Sequence, residues 1–454
     1  MNDTLPYSKK ELLNYDLNYL WHPFTQMKEW SQEDPLFIIK GEGNYLIDLD
    51  GNRYLDGVSS LWANVHGHGR KEINTAIEQQ LRQISHSTLL GLSHPNASIL
   101  AQRLSQITPG KLKRVFYSES GSTAVEIAIK MAFQYWQNIG KPRKTKFICL
   151  QEGYHGDTIG SVSVGGIDLF HQIYSPLLFD SIKAPSPYLQ ILKNKLTLEE
   201  GAEHCAEAVE KILSEHHSET AAFILEPMVQ GAGGILPFPP GYLNRVSECC
   251  KRYDVLLIAD EVAVGFGRTG TMFACEQEQV GPDLICLGKG LTGGYLPLAA
   301  TLTTERIFEG FQAEYDELKT FFHGHTFTGN PLTCTAALAS LDLFQSDQTL
   351  EKLPRKIEVL QEGLKSLSLT DFVGDVRQCG LMAGVEIFQD RENRVPFPIK
   401  KRIGHRVCLG VRKHGIILRN LGDVVVLMPP LSVTEDEIAH IIDSVEKCIH
   451  EICG

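Results

Sequence analysis

The sequence has no long uninterrupted apolar segment. None of its 454 residues lies in a run approaching the roughly 18 apolar residues that a membrane-spanning helix requires. Residues 1–17 also carry no apolar core after their lysines, so we expect neither a membrane anchor nor a secretory signal. Internal repeats and low-complexity segments are absent too, which excludes repeat and fibrous architectures. We therefore expect a globular protein of the cytoplasm.

The sequence also lacks paired cysteines and an excess of basic residues. Its eleven cysteines include no C-x-x-C pair, and an odd number of scattered thiols favours free cysteines over a disulfide framework or a zinc ribbon. Lysine and arginine total 43 against 55 aspartates and glutamates, which gives a net charge of -12. A nucleic-acid binder needs a clustered basic surface, so we expect small molecules as partners.

Short apolar runs alternate with helical stretches through the middle of the chain. The runs lie at residues 114–120, near Phe147, and at residues 221–227, 255–260 and 283–288. They are apolar on both faces, as strands covered by helices must be. The alternation predicts an α/β fold with a large domain built on a mostly parallel sheet.

The two ends of the chain have a different pattern. Polar and apolar residues alternate around a turn between Gly41 and Val58, which predicts an antiparallel hairpin. After about Cys334, amphipathic helices alternate with short strands. These features predict a smaller α+β domain made of residues 1–75 and 335–454, with the large domain spanning residues 76–334.

Asp260 and Lys289 each follow an apolar run directly. Ligands of open α/β sheets bind at the carboxyl ends of the strands. An ammonium group at such a position loses hydration, which lowers its pKa and favours imine formation. Asp260 would then pair with the ring nitrogen of pyridoxal 5'-phosphate (PLP). The alternative is a solvated loop lysine and an aspartate that caps a helix.

Residues 118–126 leave a strand and open a helix. Thr123 and Glu126 have the spacing of a capping box. Backbone N–H groups at a helix start bind phosphate, with Gly121 allowing close approach and Ser122 adding a hydroxyl group. The segment therefore predicts a phosphate site, with an ordinary capped helix as the alternative.

Three further motifs carry polar groups. The G-x-G-x-x-G at residues 265–270 is separated from its strand and opens no clear helix, which argues against a dinucleotide site. In residues 153–157, Tyr154 or His155 is suited to stack on a planar cofactor. Residues 323–326 offer amides and a hydroxyl group to phosphate; no carboxylate or cysteine set accompanies their histidines, so we expect no metal site.

Five segments resemble those of the class-III, fold-type I, PLP-dependent aminotransferases: IADEVAVGFGRTG, CLGKGLTGGYLPL, ESGSTAVEIAIKMA, EGYHGD and FFHGHTFTGNP. Their order and spacing match that family from about Trp21 to Pro430. The resemblance implies a fold-type I large domain with a mixed, mostly parallel sheet wrapped by helices. It also implies ping-pong transamination with PLP, in a homodimer that shares its active sites.

The resemblance implies cofactor-binding roles for eight residues. Lys289 would bind PLP covalently and then carry a proton during the reaction. Asp260 would pair with the ring nitrogen, Tyr154 would cover one face of the ring and Val262 would pack beneath the other. The phosphate group would be bound by Gly121 and Ser122 and by His325 and Thr326 of the partner subunit.

Within the family, WHPFTQM, SSLWANVHGHG and IAIKMAFQYW resemble a branch that aminates 8-amino-7-oxononanoate to 7,8-diaminononanoate in biotin biosynthesis. This resemblance implies that Arg419 binds the substrate carboxylate, a task suited to a guanidinium group. Phe24 and Trp62 would line the passage for the aliphatic chain. Leu61, Tyr154, Asp157 and Gly324 would complete the substrate site.

The amino donor of that branch is most often S-adenosylmethionine. Users of this donor have a tyrosine at the position of Phe24, and two tryptophans where this chain has Leu61 and Trp62. Both differences remove polar or stacking surface, so lysine is a second candidate donor. Three wider alternatives stay open: a class-III aminotransferase for ornithine, 4-aminobutyrate or another ω-amino acid, an aminomutase, and an inactive PLP-fold binding protein.

Overall fold

Helices and strands alternate through most of the computed structural model, which describes residues 6–33 and 35–454. The helices are α1 (Lys9–Tyr19), α2 (Met27–Trp30), α3 (Ser59–Trp62), α4 (Lys71–Gln83), α5 (Pro95–Ile107), α6 (Gly121–Asn138), α7 (Ile159–Ser163), α8 (Asp168–His171), α9 (Pro187–Asn194), α10 (Leu198–His216), α11 (Tyr242–Arg252), α12 (Glu305–Glu309), α13 (Pro331–Ser346), α14 (Thr349–Leu367), α15 (Ile403–Gly410) and α16 (Glu435–Cys453). The strands are β1 (Ile38–Glu42), β2 (Tyr45–Asp48), β3 (Arg53–Asp56), β4 (Leu112–Ser118), β5 (Lys146–Leu150), β6 (Ile182–Ala184), β7 (Thr220–Leu225), β8 (Val229–Gln230), β9 (Leu236–Pro237), β10 (Leu256–Asp260), β11 (Leu284–Leu287), β12 (Ala299–Thr304), β13 (Val373–Cys379), β14 (Met382–Ile387), β15 (Ile416–Ile417), β16 (Arg419–Leu421) and β17 (Val424–Leu427).

The central sheet has seven strands in the order β4-β12-β11-β10-β7-β5-β6. All neighbours pair in parallel except β12, which is antiparallel to both β4 and β11. The five predicted apolar runs form β4, β5, β7, β10 and β11, and every residue of β7, β10 and β11 is buried. The predicted mostly parallel, mixed sheet wrapped by helices is therefore confirmed.

Helix α6 packs across this sheet. Trp136 is fully buried and donates its indole N–H to the carbonyl oxygen of Ala221 on β7 at 2.8 Å, so it anchors the helix by packing and by a satisfied polar group. The predicted capping box of Thr123 and Glu126 is wrong. Ser120 caps the helix instead, and Thr123 is its third residue. Several adjacent residues here can cap, and the tertiary position of Gly121 selects Ser120.

Smaller sheets flank the central one. The sheet β1-β2-β3-β15 joins the predicted hairpin to a strand from the other end of the chain, and β13-β14-β17-β16 is antiparallel. The predicted domain limits at residues 75 and 334 fall inside α4 and α13, so the division into domains stays a prediction. All eleven cysteines are free thiols. Within the described residues, no helix is both long and apolar enough to cross a membrane.

Candidate active site

Lys289 lies directly after β11, where its side chain enters a cavity at the carboxyl edge of the central sheet. Its Nζ lies 4.9 Å from the centre of the Trp62 ring. Burial lowers the pKa of Lys289, while the negative charges of Asp260 and Glu226 act in the opposite direction. A lysine with a lowered pKa has a larger fraction of neutral amine, the form that attacks a carbonyl carbon.

Asp260 ends β10, the strand next to β11, and is almost fully buried. Its Oδ2 lies 2.7 Å from Nδ1 of His155, and its Oδ1 accepts the N–H of Val262 at 3.1 Å. Because a carboxylate only accepts hydrogen bonds, the imidazole carries a proton on Nδ1. His155, the other residue proposed to stack on a cofactor, therefore donates a hydrogen bond to Asp260 and holds it in position.

The start of α6 forms a narrow cradle beside these two residues. A Cβ atom on Gly121 would lie only 2.4 Å from Cγ1 of Val262, and one on Gly156 would lie 2.3 Å from Oγ of Ser122. The Ser122 hydroxyl group also accepts the N–H of Thr158 at 3.1 Å. Only glycine fits at residues 121 and 156, so backbone N–H groups stay accessible to an anion there, while the Ser122 hydroxyl group also contacts the hydroxyl groups of Thr158 at 2.9 Å and Ser161 at 3.2 Å.

Tyr154 and Asp157 lie on the loop that follows β5. The Tyr154 hydroxyl group donates to Asp157 at 2.7 Å, and burial raises the pKa of Tyr154. Behind the loop, the Glu226 carboxylate accepts the N–H of Tyr154 at 3.2 Å and that of Gly231 at 2.9 Å. Burial raises the pKa of Glu226 to about 7. Glu226 is not among the predicted site residues, although it follows the buried run of β7 directly.

The inner cavity, about 410 Å³ in volume, brings together eleven of the fourteen predicted site residues. These residues are Phe24, Leu61, Trp62, Gly121, Ser122, Tyr154, Asp157, Asp260, Val262, Lys289 and Arg419. Phe170, Ala232 and Leu421 add apolar surface that the sequence analysis did not identify. Apart from the groups that are suited to bind a cofactor, the lining of this cavity suits an aliphatic substrate.

Three lining residues have left-handed backbone conformations. The φ angles are +51° at Phe24, +62° at Trp62 and +41° at Lys289. Residues with a Cβ atom adopt such angles at a cost on the order of 1–3 kcal/mol each. The rest of the fold stabilises these three residues in place, as is typical of functional sites.

Gly324, His325 and Thr326 do not line the inner cavity of their own chain. Nδ1 of His325 lies 2.6 Å from Oε2 of Glu119, one residue before the Ser120 cap of α6. A Cβ atom on Gly324 would meet no other atom within 4 Å. The loop carrying these residues is therefore open to contacts from outside its own chain.

A second, outer cavity of about 830 Å³ adjoins the first. It is lined by residues between 23 and 33 and by residues between 396 and 423, and it shares Phe24 and Arg419 with the inner cavity. The Arg419 guanidinium carbon lies 6.0 Å from the centre of the Phe24 ring. Phe24 and Arg419 therefore lie where the two cavities meet.

The inner cavity fits PLP by the chemistry of its residues. Lys289 supplies an amine for the carbonyl group, and Asp260 supplies a carboxylate for the ring nitrogen. The cradle at Gly121 and Ser122 supplies donors for the phosphate group. Tyr154 supplies an aromatic surface beside the ring position.

Comparisons with known proteins agree with this site. The family model for class-III aminotransferases matches residues 26–449. A Geobacter sulfurreducens protein named adenosylmethionine-8-amino-7-oxononanoate aminotransferase is 54% identical, with 99% of each chain covered. The Aquifex aeolicus protein of the same name is 51% identical, with 98% of each chain covered.

Solved structures agree as well. The adenosylmethionine-8-amino-7-oxononanoate aminotransferase of Methanocaldococcus jannaschii superposes with a TM-score of 0.93 at 47% identity, covering 98% of this chain and 99% of that one. An (S)-enantioselective omega-transaminase from Thermomicrobium roseum has a TM-score of 0.94 at 34% identity, covering 99% of this chain and 100% of the other. The fold is thus shared by proteins named for different transaminase activities.

Proposed function

Because the chain belongs to the class-III aminotransferases, which use PLP, we propose that it aminates 8-amino-7-oxononanoate to 7,8-diaminononanoate in biotin biosynthesis. Six relatives that are 47–54% identical over nearly the whole chain carry the name of that activity. The structural observation that carries the proposal is Arg419. It lies at the boundary of an apolar cavity that also contains Lys289, and so suits an acceptor with a carboxylate at the end of an aliphatic chain.

The proposed mechanism divides the work among a few residues. When bound, PLP supplies an electron-withdrawing ring that stabilises negative charge on the reacting carbon. With its Nζ, Lys289 would take a proton from the amine-bearing carbon of the donor in the first half-reaction and deliver a proton to the former ketone carbon of the acceptor in the second. Asp260, which His155 and Val262 orient, keeps the ring nitrogen protonated.

Tyr154 and Val262 flank the proposed ring position, and Tyr154 is itself oriented by Asp157. With Trp62 above Lys289, these side chains exclude water from the reacting atoms. The acceptor chain then runs along Trp62, Leu61 and Phe24 toward Arg419. This arrangement positions the ketone group and binds the carboxylate at the same time.

We also propose a homodimer in which Gly324, His325 and Thr326 enter the site of the partner subunit. This is supported by their absence from the inner cavity of their own chain. The eleven free thiols support a reducing compartment, and we propose the cytoplasm.

The names of the relatives make S-adenosylmethionine the first candidate for the amino donor. Lysine is the second, because Phe24 and Leu61 offer neither a hydroxyl group nor a second indole ring to a nucleoside. Both side chains are more than half exposed, so neither is fixed by a buried core contact. Offering each donor separately to the PLP-loaded enzyme and recording the loss of visible absorption decides between them.

A single-turnover assay tests the acceptor. Enzyme carrying the aminated cofactor is mixed with 8-amino-7-oxononanoate, and the visible absorption of the lysine-bound cofactor is expected to return. Lys289→Ala should lose this absorption, whereas Lys251→Ala, a lysine of helix α11 outside the cavity, should keep it. Return of the absorption with ornithine or 4-aminobutyrate products but not with 8-amino-7-oxononanoate would assign the chain to another class-III activity.

A further inference from the structure

Most charged side chains that line the outer cavity are paired with each other. Arg402 contacts Glu29, and Nε2 of His405 lies 3.2 Å from Glu33. The third carboxylate, Asp423, accepts the N–H of Gly404 at the start of α15 at 3.0 Å. Each acidic group in the cavity wall therefore has a partner within the protein.

Two guanidinium groups differ from this pattern. Arg412 and Arg419 both line the outer cavity, and within residues 6–33 and 35–454 neither has a hydrogen-bond acceptor or an ion-pair partner. Both side chains are partly buried. The Phe24 ring lies 6.0 Å from the Arg419 guanidinium carbon, but without an ion-pair partner neither arginine recovers the hydration that it loses on partial burial unless an anion binds there.

The two guanidinium groups act on the same part of the cavity wall. Cys408, on α15, also lines the outer cavity. Burial raises the pKa of Cys408 to about 12, and the positive charges of Arg412 and Arg419 act against that rise. Both charges thus act on one side chain of the same cavity wall, where their fields add.

We infer that Arg412 is a second carboxylate-recognition residue, which attracts the acceptor carboxylate into the outer cavity and strengthens its binding at Arg419. This inference rests on the proposed function, because it concerns the carboxylate end of the same acceptor. Arg419 lines both cavities and Arg412 lines only the outer one. An acceptor that enters through the outer cavity therefore meets Arg412 before its ketone group reaches Lys289.

The physical reason is electrostatic. Two unpaired cations in a cavity with apolar walls focus the field and raise both the encounter rate and the affinity for an anion. Phe24 and Phe397 supply such walls in the outer cavity. A substrate without a carboxylate gains nothing from Arg412, so the residue also discriminates between acceptors.

The test measures the acceptor half-reaction of Arg412→Gln with 8-amino-7-oxononanoate and with its methyl ester. We expect the second-order rate constant for the free acid to fall about ten-fold, to depend less on ionic strength, and to recover in Arg412→Lys. The ester should react at similar rates with wild type and variant. Arg406→Gln is the matched control, because Arg406 is an exposed arginine of α15 that does not line the cavity.

Two results would overturn the inference. In the first, Arg412→Gln reacts with the free acid at the same second-order rate constant as Arg406→Gln. In the second, the rate constants of Arg412→Gln for the acid and for the ester fall by the same factor. A wild-type enzyme inactive toward 8-amino-7-oxononanoate contradicts the proposed function instead. In that case, the role of Arg412 is tested in the same way with an oxo acid that the enzyme does accept: Arg412→Gln should react more slowly with the acid but not with its methyl ester.

Discussion

The contact between Gly121 and Val262 gives a sharp prediction for cofactor binding. In Gly121→Ala, the new methyl carbon would lie 2.4 Å, 3.0 Å and 3.2 Å from Cγ1, Cγ2 and Cβ of Val262. Ordinary carbon contacts are about 3.5–4.0 Å, so Val262 must move by roughly 1 Å. That movement also disturbs the Val262 N–H that donates to Asp260.

Overpacking of this kind costs about 1–3 kcal/mol. In the apoenzyme, Val262 relieves this clash by moving into the cavity that it lines, and PLP binding then has to reverse the movement, so the cost appears in the affinity. Since 1.4 kcal/mol corresponds to a factor of ten, we expect PLP to bind about 5- to 150-fold more weakly to Gly121→Ala. Titration of the apoenzyme with PLP, followed by visible absorption, measures this change. Gly410→Ala is the control, because Gly410 lies in α15 and its new methyl carbon would approach nothing closer than the flexible end of Ile452 at 3.2 Å and Sγ of Cys448 at 3.3 Å.

A second substitution isolates the steric cause. Val262→Ala removes both Cγ atoms and leaves only Cβ near residue 121. Introducing Gly121→Ala into the Val262→Ala enzyme should therefore weaken PLP binding much less than introducing it into the wild type. The reasoning is refuted if Gly121→Ala binds PLP within two-fold of wild type, or if the double variant binds no better than the additive expectation.

Three further predictions concern buried or paired side chains. His155→Phe removes the buried partner of Asp260 at a cost of about 1.5–3 kcal/mol, so transamination should fall about 10- to 100-fold; unchanged turnover would contradict the role of His155. Burial lowers the pKa of His66 from 6.5 to about 4, so its contribution to stability is complete above pH 6.5 and is lost as the pH falls toward 4, a change of about 3 kcal/mol. The free energy of unfolding, measured with denaturant, should fall between pH 7 and pH 4 in wild type by this amount more than it falls in His66→Gln. Glu29→Gln breaks a partly exposed pair with Arg402 and should change global stability by less than about 1 kcal/mol while residues 23–33 become easier to cleave by protease; a larger loss of stability, or unchanged cleavage, would count against it.

The strand ends that form the site are readable from the sequence for a physical reason. Strands buried on both faces leave continuous apolar runs, and a charged residue directly after such a run must lie at the carboxyl edge of the sheet. This principle located Asp260 and Lys289. It applies equally to Glu226 after β7, but a glutamate before proline also fits an ordinary turn, so its position in the site was missed.

Other features depend on tertiary contacts that no local pattern contains. Tyr154 and His155 are adjacent aromatic residues on one loop. Only the position of Asp260 determines that His155 is the one that hydrogen-bonds to this carboxylate. The N-cap of α6 was placed three residues late, because Ser120 and Thr123 have similar capping propensities. Arg412 could not be found from the sequence, because it stands out only once the acidic side chains of the outer cavity are seen to have other partners.

The left-handed backbone at Trp62 also matters for redesign of the enzyme toward bulky ketones. A side chain at that φ angle of +62° pays a steric penalty of roughly 1–2 kcal/mol that glycine does not. Trp62→Gly would therefore enlarge the pocket and release strain in one step, whereas a β-branched residue of intermediate size would retain the strain. At Trp62, the residue that leaves the most room in the pocket is thus also the one whose main chain adopts this φ angle most readily.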